Sequence, residues 1–397
     1  MKDSKDYKNF NRKENLKLAS KVVHGALGID PTTGSISFPI YQTATFKHSG
    51  IEIKDPYNYS RCINPTREEL EKTMAMLEEG TRAFAVNSGM AAITLVFSLL
   101  NPGDHLIMSD DIYGGTFREV NEVLEVNGIE HDSIDLSDLG LLERTIKKNT
   151  KMIFIETPTN PMMKIADIEK IAKIGHEIGA LVVVDNTFLT PYFQRPLTLG
   201  ADIVLHSGTK YLAGHNDVLA GVVVVKDSKI GEILEIKMYI YGAGLGPMDS
   251  WLMLRGMKTL ALRMEKHNEN AMKVANWLRN QPKVEKVYYV GFEDHKDYDV
   301  TRKQTTGFGG MISFKVDSTK TVNDILSRLK LIIFAESLGG VESLITHPVS
   351  RTHTEILEET REALGITDTL LRLSVGIEDV DDIIADLDQA INGAKEA

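Results

Sequence analysis

Lys210 stands in the run His206-Ser207-Gly208-Thr209-Lys210-Tyr211, directly after the apolar residues Ile203-Val204-Leu205. A short apolar run of that kind reads as a buried strand. Upstream, Leu181-Val182-Val183-Val184 reads as a second buried strand, and it ends on Asp185-Asn186-Thr187. An amine and a carboxylate at the carboxyl ends of parallel strands stand where open α/β sheets bind their ligands. The hydroxyls of Ser207 and Thr209 beside the amine suit a phosphate. Together these are the groups that pyridoxal phosphate asks of a protein, a Schiff-base lysine and an acid for the ring nitrogen. Taken singly, Lys210 reads as a surface lysine and Asp185 as a cap for the next turn.

Further residues add to that set. Asn87-Ser88-Gly89-Met90 lies between a strand-like and an apolar helical segment. The free N–H groups of a helix start bind anions, and glycine allows a phosphate to approach closely. Tyr113 follows Asp110-Asp111-Ile112 and precedes Gly114-Gly115, so its ring could stack on a planar cofactor. The alternative for the two aspartates is a metal site, but no histidine or cysteine stands at ligand spacing. Thr187 follows Asp185 closely enough to assist it. Tyr59-Ser60-Arg61 offers an arginine and a tyrosine suited to a phosphate clamp, on an extended segment able to reach a neighbouring subunit. Arg372 is embedded in the strand-like run Leu371-Arg372-Leu373-Ser374, where a half-buried cation needs an anion: a substrate carboxylate or an internal ion pair. Glu336-Ser337-Leu338-Gly339-Gly340 is a turn that offers a carboxylate and a hydroxyl. Gly242-Ala-Gly-Leu-Gly246 lacks dinucleotide spacing, His347 and His353 lack partner ligands, and Cys62 is a lone cysteine.

The elements that must hold these residues follow from periodicity. Residues 1–62 lack it and read as an extended arm. The spacing of Leu70, Met74 and Leu77 predicts a helix over 68–79 with Gly80 as its terminator. Strands at 83–86, 105–108, 152–155, 181–184, 203–205 and 221–225 alternate with helices at 90–100, 141–148 and 165–178, which predicts a mostly parallel, doubly wound α/β sheet. After Arg255–Lys258 charged helices and separate strands, such as Met311-Ile312-Ser313-Phe314, predict a smaller α+β domain. The expected organisation is therefore an arm (1–62), a cofactor-binding α/β domain (63–256) and a C-terminal α+β domain (257–397).

The chain has 397 residues, a net charge of −11 and one cysteine. The negative charge disfavours nucleic acid as a partner. A single cysteine allows no intrachain disulfide. No apolar stretch approaches the roughly 18 residues of a membrane span. The first 21 residues are polar and lack the apolar core of a signal peptide, so a cytoplasmic protein is expected.

The motifs jointly resemble a known family, the cystathionine-type enzymes of cysteine and methionine metabolism, within the type I, aspartate-aminotransferase-like fold of pyridoxal-phosphate enzymes. The likeness runs from about residue 20 to 393. It rests on Tyr59-Ser60-Arg61 with Asn64-Pro65-Thr66-Arg67, on Ser88-Gly89-Met90-Ala91-Ala92, and on Asp111-Ile112-Tyr113-Gly114-Gly115-Thr116. It continues through Glu156-Thr157-Pro158-Thr159-Asn160-Pro161, Val184-Asp185-Asn186-Thr187-Phe188, Thr209-Lys210-Tyr211 with Gly214-His215-Asn216-Asp217, and Glu336-Ser337-Leu338-Gly339-Gly340-Val341-Glu342-Ser343.

The resemblance implies that Lys210 carries the cofactor and shuttles protons. It implies that Asp185 pairs with the ring nitrogen and that Tyr113 stacks on the ring and assists proton transfer. Gly89, Met90, Ser207 and Thr209 would bind the phosphate beside Ser88, joined by Tyr59 and Arg61 of an adjacent subunit in a homotetramer. Asn160, Ser337 and Arg372 would position the substrate carboxylate, and Glu336 would meet the distal amino group. The implied activity is carbon–sulfur lysis of sulfur amino acids in trans-sulfuration, closest to bacterial cystathionine γ-lyases acting also on homocysteine. The alternatives are γ-replacement (cystathionine γ-synthase or O-acetylhomoserine sulfhydrylase), cystathionine β-lyase and methionine γ-lyase. The last commonly carries a cysteine where this chain has Gly115. Two further departures are Gly208, where alanine or cysteine is more usual, and Arg351-Thr352-His353 in place of a usual Met-Thr-His.

Overall fold

A computed structural model describes residues 16–354 and 357–393. Numbered along the chain, its strands are β1 (Arg82–Val86), β2 (His105–Ser109), β3 (Glu130–Ile134), β4 (Thr150–Glu156), β5 (Leu181–Asp185), β6 (Ile203–Ser207), β7 (Gly221–Val225), β8 (Val284–Tyr288), β9 (Met311–Val316), β10 (Ile333–Phe334), β11 (Leu344–Thr346) and β12 (Leu370–Ser374). The chain forms two compact units, Met1–Leu99 with Asp202–Ala261, and Leu100–Ala201 with Leu262–Ala397. These units interleave along the chain, whereas the expected spans are contiguous. No described helix is long and apolar enough to cross a membrane.

In the first unit β7 lies between β1 and β6 and runs antiparallel to both. All five residues of β7 are buried, Gly-Val-Val-Val-Val, as an interior strand covered on both faces requires. The helix Pro65–Glu78 begins on an Asn64 cap with proline at its first position, a pairing that satisfies an orphan N–H and presets φ. It ends one residue earlier than its glycine suggests: Glu79, at φ 59°, is the left-handed residue, and the Gly80 N–H also reaches the Ala75 carbonyl (2.9 Å). The apolar helix Gly89–Phe97 follows β1 through a Ser88 cap and buries Ile93, Leu95, Val96 and Phe97. Helices Ser228–Tyr241 and Pro247–Met257 flank the glycine-rich 242–246 loop.

In the second unit β5, β4, β2 and β3 pair in that order, all parallel. β3 was absent from the expected elements because its sequence, Glu-His-Asp-Ser-Ile, is polar. It is the outermost of these strands and is only half covered, so it needs no apolar run. The second sheet of this unit runs β10-β11-β12-β9-β8. It packs a core of Ile312, Phe314, Leu371 and Leu373 against Val274, Leu278, Ile383 and Leu387 of two helices.

The start of the helix at Gly89 depends on backbone clearance. A Cβ on Gly221 would fall 2.0 Å from the Ser88 carbonyl oxygen, so the strand and the helix cap touch through bare backbone. Gly221→Ala should therefore force the cap away and cost about 1–3 kcal/mol. A lowered denaturant midpoint at unchanged slope, together with weakened cofactor retention, is the expected measurement.

Candidate active site

The first unit gathers anion-binding groups. β1 leads through Asn87 into Ser88, whose hydroxyl accepts from the Ala91 N–H at 3.1 Å. Gly89 and Met90 occupy the first turn of the following helix, where no carbonyl four residues back exists for their N–H groups. A Cβ on Gly89 would stand 2.9 Å from both Cβ and Oγ of Ser207, so only glycine lets the helix start lie against the end of β6. After Ser207 the chain turns tightly. The Lys210 N–H reaches the Ser207 carbonyl at 3.2 Å, and the Gly214 N–H reaches the Lys210 carbonyl at 2.8 Å. Thr209 is fixed against Ala220, whose N–H donates to the Thr209 hydroxyl at 3.0 Å. Gly208 has a local explanation: the space an alanine would take is filled by Met253, whose Cε would lie 2.7 Å from the added Cβ. On the arm, Arg61 donates to the Tyr239 carbonyl at 2.8 Å and its guanidinium lies 5.6 Å from the centroid of the Tyr59 ring. Tyr59 remains 46% exposed.

The second unit gathers acids, an aromatic face and a buried arginine. β4 and β5 are paired so that Glu156 stands opposite Asp185, two carboxylates on adjacent strand ends. Both donors of Thr187, its N–H and its hydroxyl, reach Asp185 Oδ1 at 3.0 and 2.5 Å. Glu156 is buried, and its Oε2 accepts the Tyr113 N–H at 3.0 Å. Burial first, and the charge of Asp185 second, hold the Glu156 carboxyl well above the usual carboxylate range. Tyr113, placed by that hydrogen bond at the start of the helix Gly114–Glu119, leaves its ring 42% exposed.

Asp110 and Asp111 serve the loop that follows β4. Asp111 accepts from the Thr159 hydroxyl and from the Met162 N–H (2.9 Å), and burial pushes its carboxyl up to about 6. Asp110 pairs with Lys164 at 2.8 Å. The loop so held presents Asn160. Its Oδ1 accepts from Arg372 Nη1 at 2.9 Å, while Arg372 Nη2 donates to the Ser337 carbonyl at 3.0 Å. Arg372 is 3% exposed. Ser337 holds a left-handed φ of 84°, a conformation uncommon outside glycine. Glu336 beside it is exposed. His353 Nε2 lies 3.1 Å from the Asn160 carbonyl, and burial pushes its imidazole down to about 4, leaving it neutral. The Thr352 carbonyl would be 2.5 Å from a Cβ on Gly114, so the 351–353 segment presses against the turn that carries Tyr113.

The residues present fit pyridoxal phosphate. In the first unit the glycine-cleared helix start, Ser207, Thr209 and Lys210 have the chemistry of a phosphate cradle beside an amine. In the second, an anionic aspartate, an exposed tyrosine ring and a fixed arginine suit a pyridinium nitrogen, a planar ring and a carboxylate. Two contributors lacked an assigned role in the sequence. Glu156 ends an apolar strand just as Asp185 does, and that shared signal would have found it. His353 gave no such signal, because its partner Asn160 is 193 residues away.

Residues 19–392 match the family described as Cys/Met metabolism PLP-dependent enzyme. The chain is 50% identical over 376 residues to cystathionine gamma-lyase of Bacillus subtilis, covering 95% of this chain and 99% of that one. It is 49% identical over 374 residues to cystathionine beta-lyase of Lactococcus lactis subsp. cremoris, covering 94% and 98%. The crystal structure of cystathionine gamma-lyase from Lactobacillus plantarum complexed with L-serine superposes with a TM-score of 0.93 at 45% identity, covering 95% and 99%. The fold is that of the type I pyridoxal-phosphate enzymes.

The upward shift of the Glu156 carboxyl has a direct test. Glu156→Gln keeps an uncharged acceptor for the Tyr113 N–H and should leave thermal stability and the cofactor spectrum near those of wild type. Glu156→Ala strands a buried donor and should cost about 1–3 kcal/mol. A large loss in Glu156→Gln, equal to that in Glu156→Ala, would show that the negative charge is what matters.

Proposed function

Because the chain belongs to the Cys/Met metabolism PLP-dependent enzymes, we propose that it cleaves the γ carbon–sulfur bond of cystathionine. Membership makes it a pyridoxal-5′-phosphate enzyme of carbon–sulfur chemistry in trans-sulfuration. The choice of γ-elimination is our reading. The observation that carries it is the placement of Glu336: an exposed carboxylate one residue before Ser337, whose carbonyl holds Arg372. A substrate whose α-carboxylate lies on Arg372 would extend its far end toward that acid, and cystathionine ends in an ammonium group. A small leaving group would not use it. Homocysteine is the expected second substrate.

In this reading Ser88, Gly89, Met90, Ser207 and Thr209 hold the cofactor's phosphate, and Tyr59 and Arg61 serve the site of an adjacent subunit within a homotetramer. The exposure of Tyr59 supports that last assignment. When bound, the cofactor acts as an electron sink that acidifies the protons on the substrate's Cα and Cβ. Asp185, which accepts from both donors of Thr187, would pair with the cofactor's ring nitrogen. Lys210 Nζ accepts the Cα proton and delivers it onward, as general base and then acid. Tyr113 confines the ring face and is placed to pass a proton to the departing sulfur. Arg372, fixed by Asn160 and Ser337, orients the α-carboxylate so that the Cα–H bond faces the lysine. The Cγ–S bond breaks, sulfur leaves protonated as cysteine, and water releases 2-oxobutyrate and ammonia. A β-lyase reading uses the same residues with the bond broken at Cβ and pyruvate as product. A γ-replacement reading requires a second thiol to enter before release.

Product analysis decides among these. With cystathionine alone, 2-oxobutyrate is expected; pyruvate would overturn the γ reading, and faster condensation of an acyl-homoserine with cysteine would favour the synthase. Lys210→Ala should lose the yellow cofactor absorbance and at least about 10²-fold in kcat. Arg372→Ala should raise KM by roughly tenfold or more, the loss of a charge-assisted carboxylate contact; an unchanged KM would remove the arginine from substrate binding.

A further inference from the structure

We propose that Arg351 is a specificity-determining residue that binds a carboxylate on the distal, departing half of the substrate. The inference rests on the cystathionine reading above and supplies the distal contact which that reading leaves unassigned. An arginine stands here where the family pattern usually has methionine, so a permanent cation replaces a neutral side chain.

The backbone of this cation is fixed. The N–H groups of Arg351, Thr352 and His353 all turn toward the Pro348 carbonyl, at 3.3, 3.1 and 2.9 Å. His353 beneath it is tied to Asn160, which also carries Arg372, and the Thr352 carbonyl abuts Gly114. The segment therefore cannot shift without moving the carboxylate clamp or the Tyr113 turn. The guanidinium carbon of Arg351 lies 5.5 Å from the centroid of the Phe334 ring. That contact orients the cation over an aromatic face and leaves its hydrogen-bonding edge open. Both residues are exposed, and among the described residues no carboxylate pairs with Arg351.

Glu336 lies two residues beyond Phe334, also exposed and without an ion pair among the described residues. A cation against the Phe334 ring and an acid two residues along the chain thus stand without an ion pair among the described residues. Their complement is a zwitterion, an ammonium for Glu336 and a carboxylate for Arg351. The two cations are tied by a short path: His353, two residues from Arg351, meets the Asn160 carbonyl at 3.1 Å, and the Asn160 side chain accepts from Arg372 at 2.9 Å. Cystathionine carries its two carboxylates at opposite ends of one extended chain.

The test uses the holoenzyme and its Arg351→Met and Arg351→Lys variants. Calorimetry would measure binding of 2-aminosuberate, which carries the distal carboxylate at cystathionine's length, and of 2-aminooctanoate, which lacks it. Wild type should prefer the dicarboxylate by about tenfold or more. Arg351→Met should abolish that ratio and Arg351→Lys should recover part of it. The ratio of kcat/KM for cystathionine to that for homocysteine should fall in parallel, chiefly through KM. A binding ratio unchanged in Arg351→Met, or affinities for both ligands lowered alike, would overturn the assignment. Failure of wild type to form 2-oxobutyrate would instead overturn the γ-lyase reading, and the binding ratio would still decide the role of Arg351.

Discussion

The buried guanidinium of Arg372 is the constraint around which the second unit is organised. A cation that is 3% exposed forgoes its hydration, and the effective cost is several kcal/mol unless polar groups replace water. Two loops far apart in sequence supply that replacement, one through the Asn160 side chain and one through the Ser337 carbonyl. Each loop is in turn held by its own buried bonds. Asp111 fixes the 159–162 backbone, and the hydroxyl of Ser374, two residues from Arg372 on the same strand, accepts from the Gly339 N–H at 2.8 Å. The left-handed Ser337 is tolerated because its carbonyl is needed in that direction. A guanidinium so determined is oriented before any ligand arrives, and little of its side-chain entropy would remain to be lost on binding one.

A second economy concerns charge. Asp111, Glu156 and Asp185 all lie at the carboxyl ends of the parallel strands or just beyond, and anions gathered there would repel one another. Burial raises the carboxyls of Glu156 and Asp111, and the charge of Asp185 adds to the rise at Glu156. Glu156 is also a structural part, an acceptor that sets the position of Tyr113.

Much of this architecture was legible in the sequence, for reasons that differ by element. β2, β4, β5, β6 and β7 have apolar centres because they are covered on both faces, so each announced itself as a strand. β3 and the two-residue β10 did not, since an outer strand can be polar and a short one carries too little pattern. Lys210, Asp185 and Ser88 drew attention because each ends or follows such a run. The glycines at 89, 114 and 221 were visible as residues, but their purpose was not: each admits a specific neighbour, Ser207, Thr352 and Ser88. Contacts such as Asn160 with Arg372, 212 residues apart, carry no periodic trace at all. Residues at strand ends stand out by periodicity, whereas the grouping of Asn160, Ser337 and Arg372 was reached only through the family resemblance.

The distribution of these residues bears on how one scaffold can serve several reactions. In the proposed reading proton removal from Cα uses Lys210, Asp185 and Arg372 whether the bond broken lies at Cβ or at Cγ, so those groups would not select between outcomes. Selection would then fall to whatever fixes the departing half. Arg351 lies against Phe334 of the two-residue β10 at the outer edge of the second sheet, and Glu336 follows that strand by two residues. Arg372 lies on β12, an interior strand whose five residues are all buried. A substitution at the edge changes little packing, whereas one on β12 disturbs the core and the clamp together. Reaction preference can therefore drift at the edge while the acid–base machinery stays fixed, and an arginine in place of a methionine at 351 is the kind of change that such an edge permits.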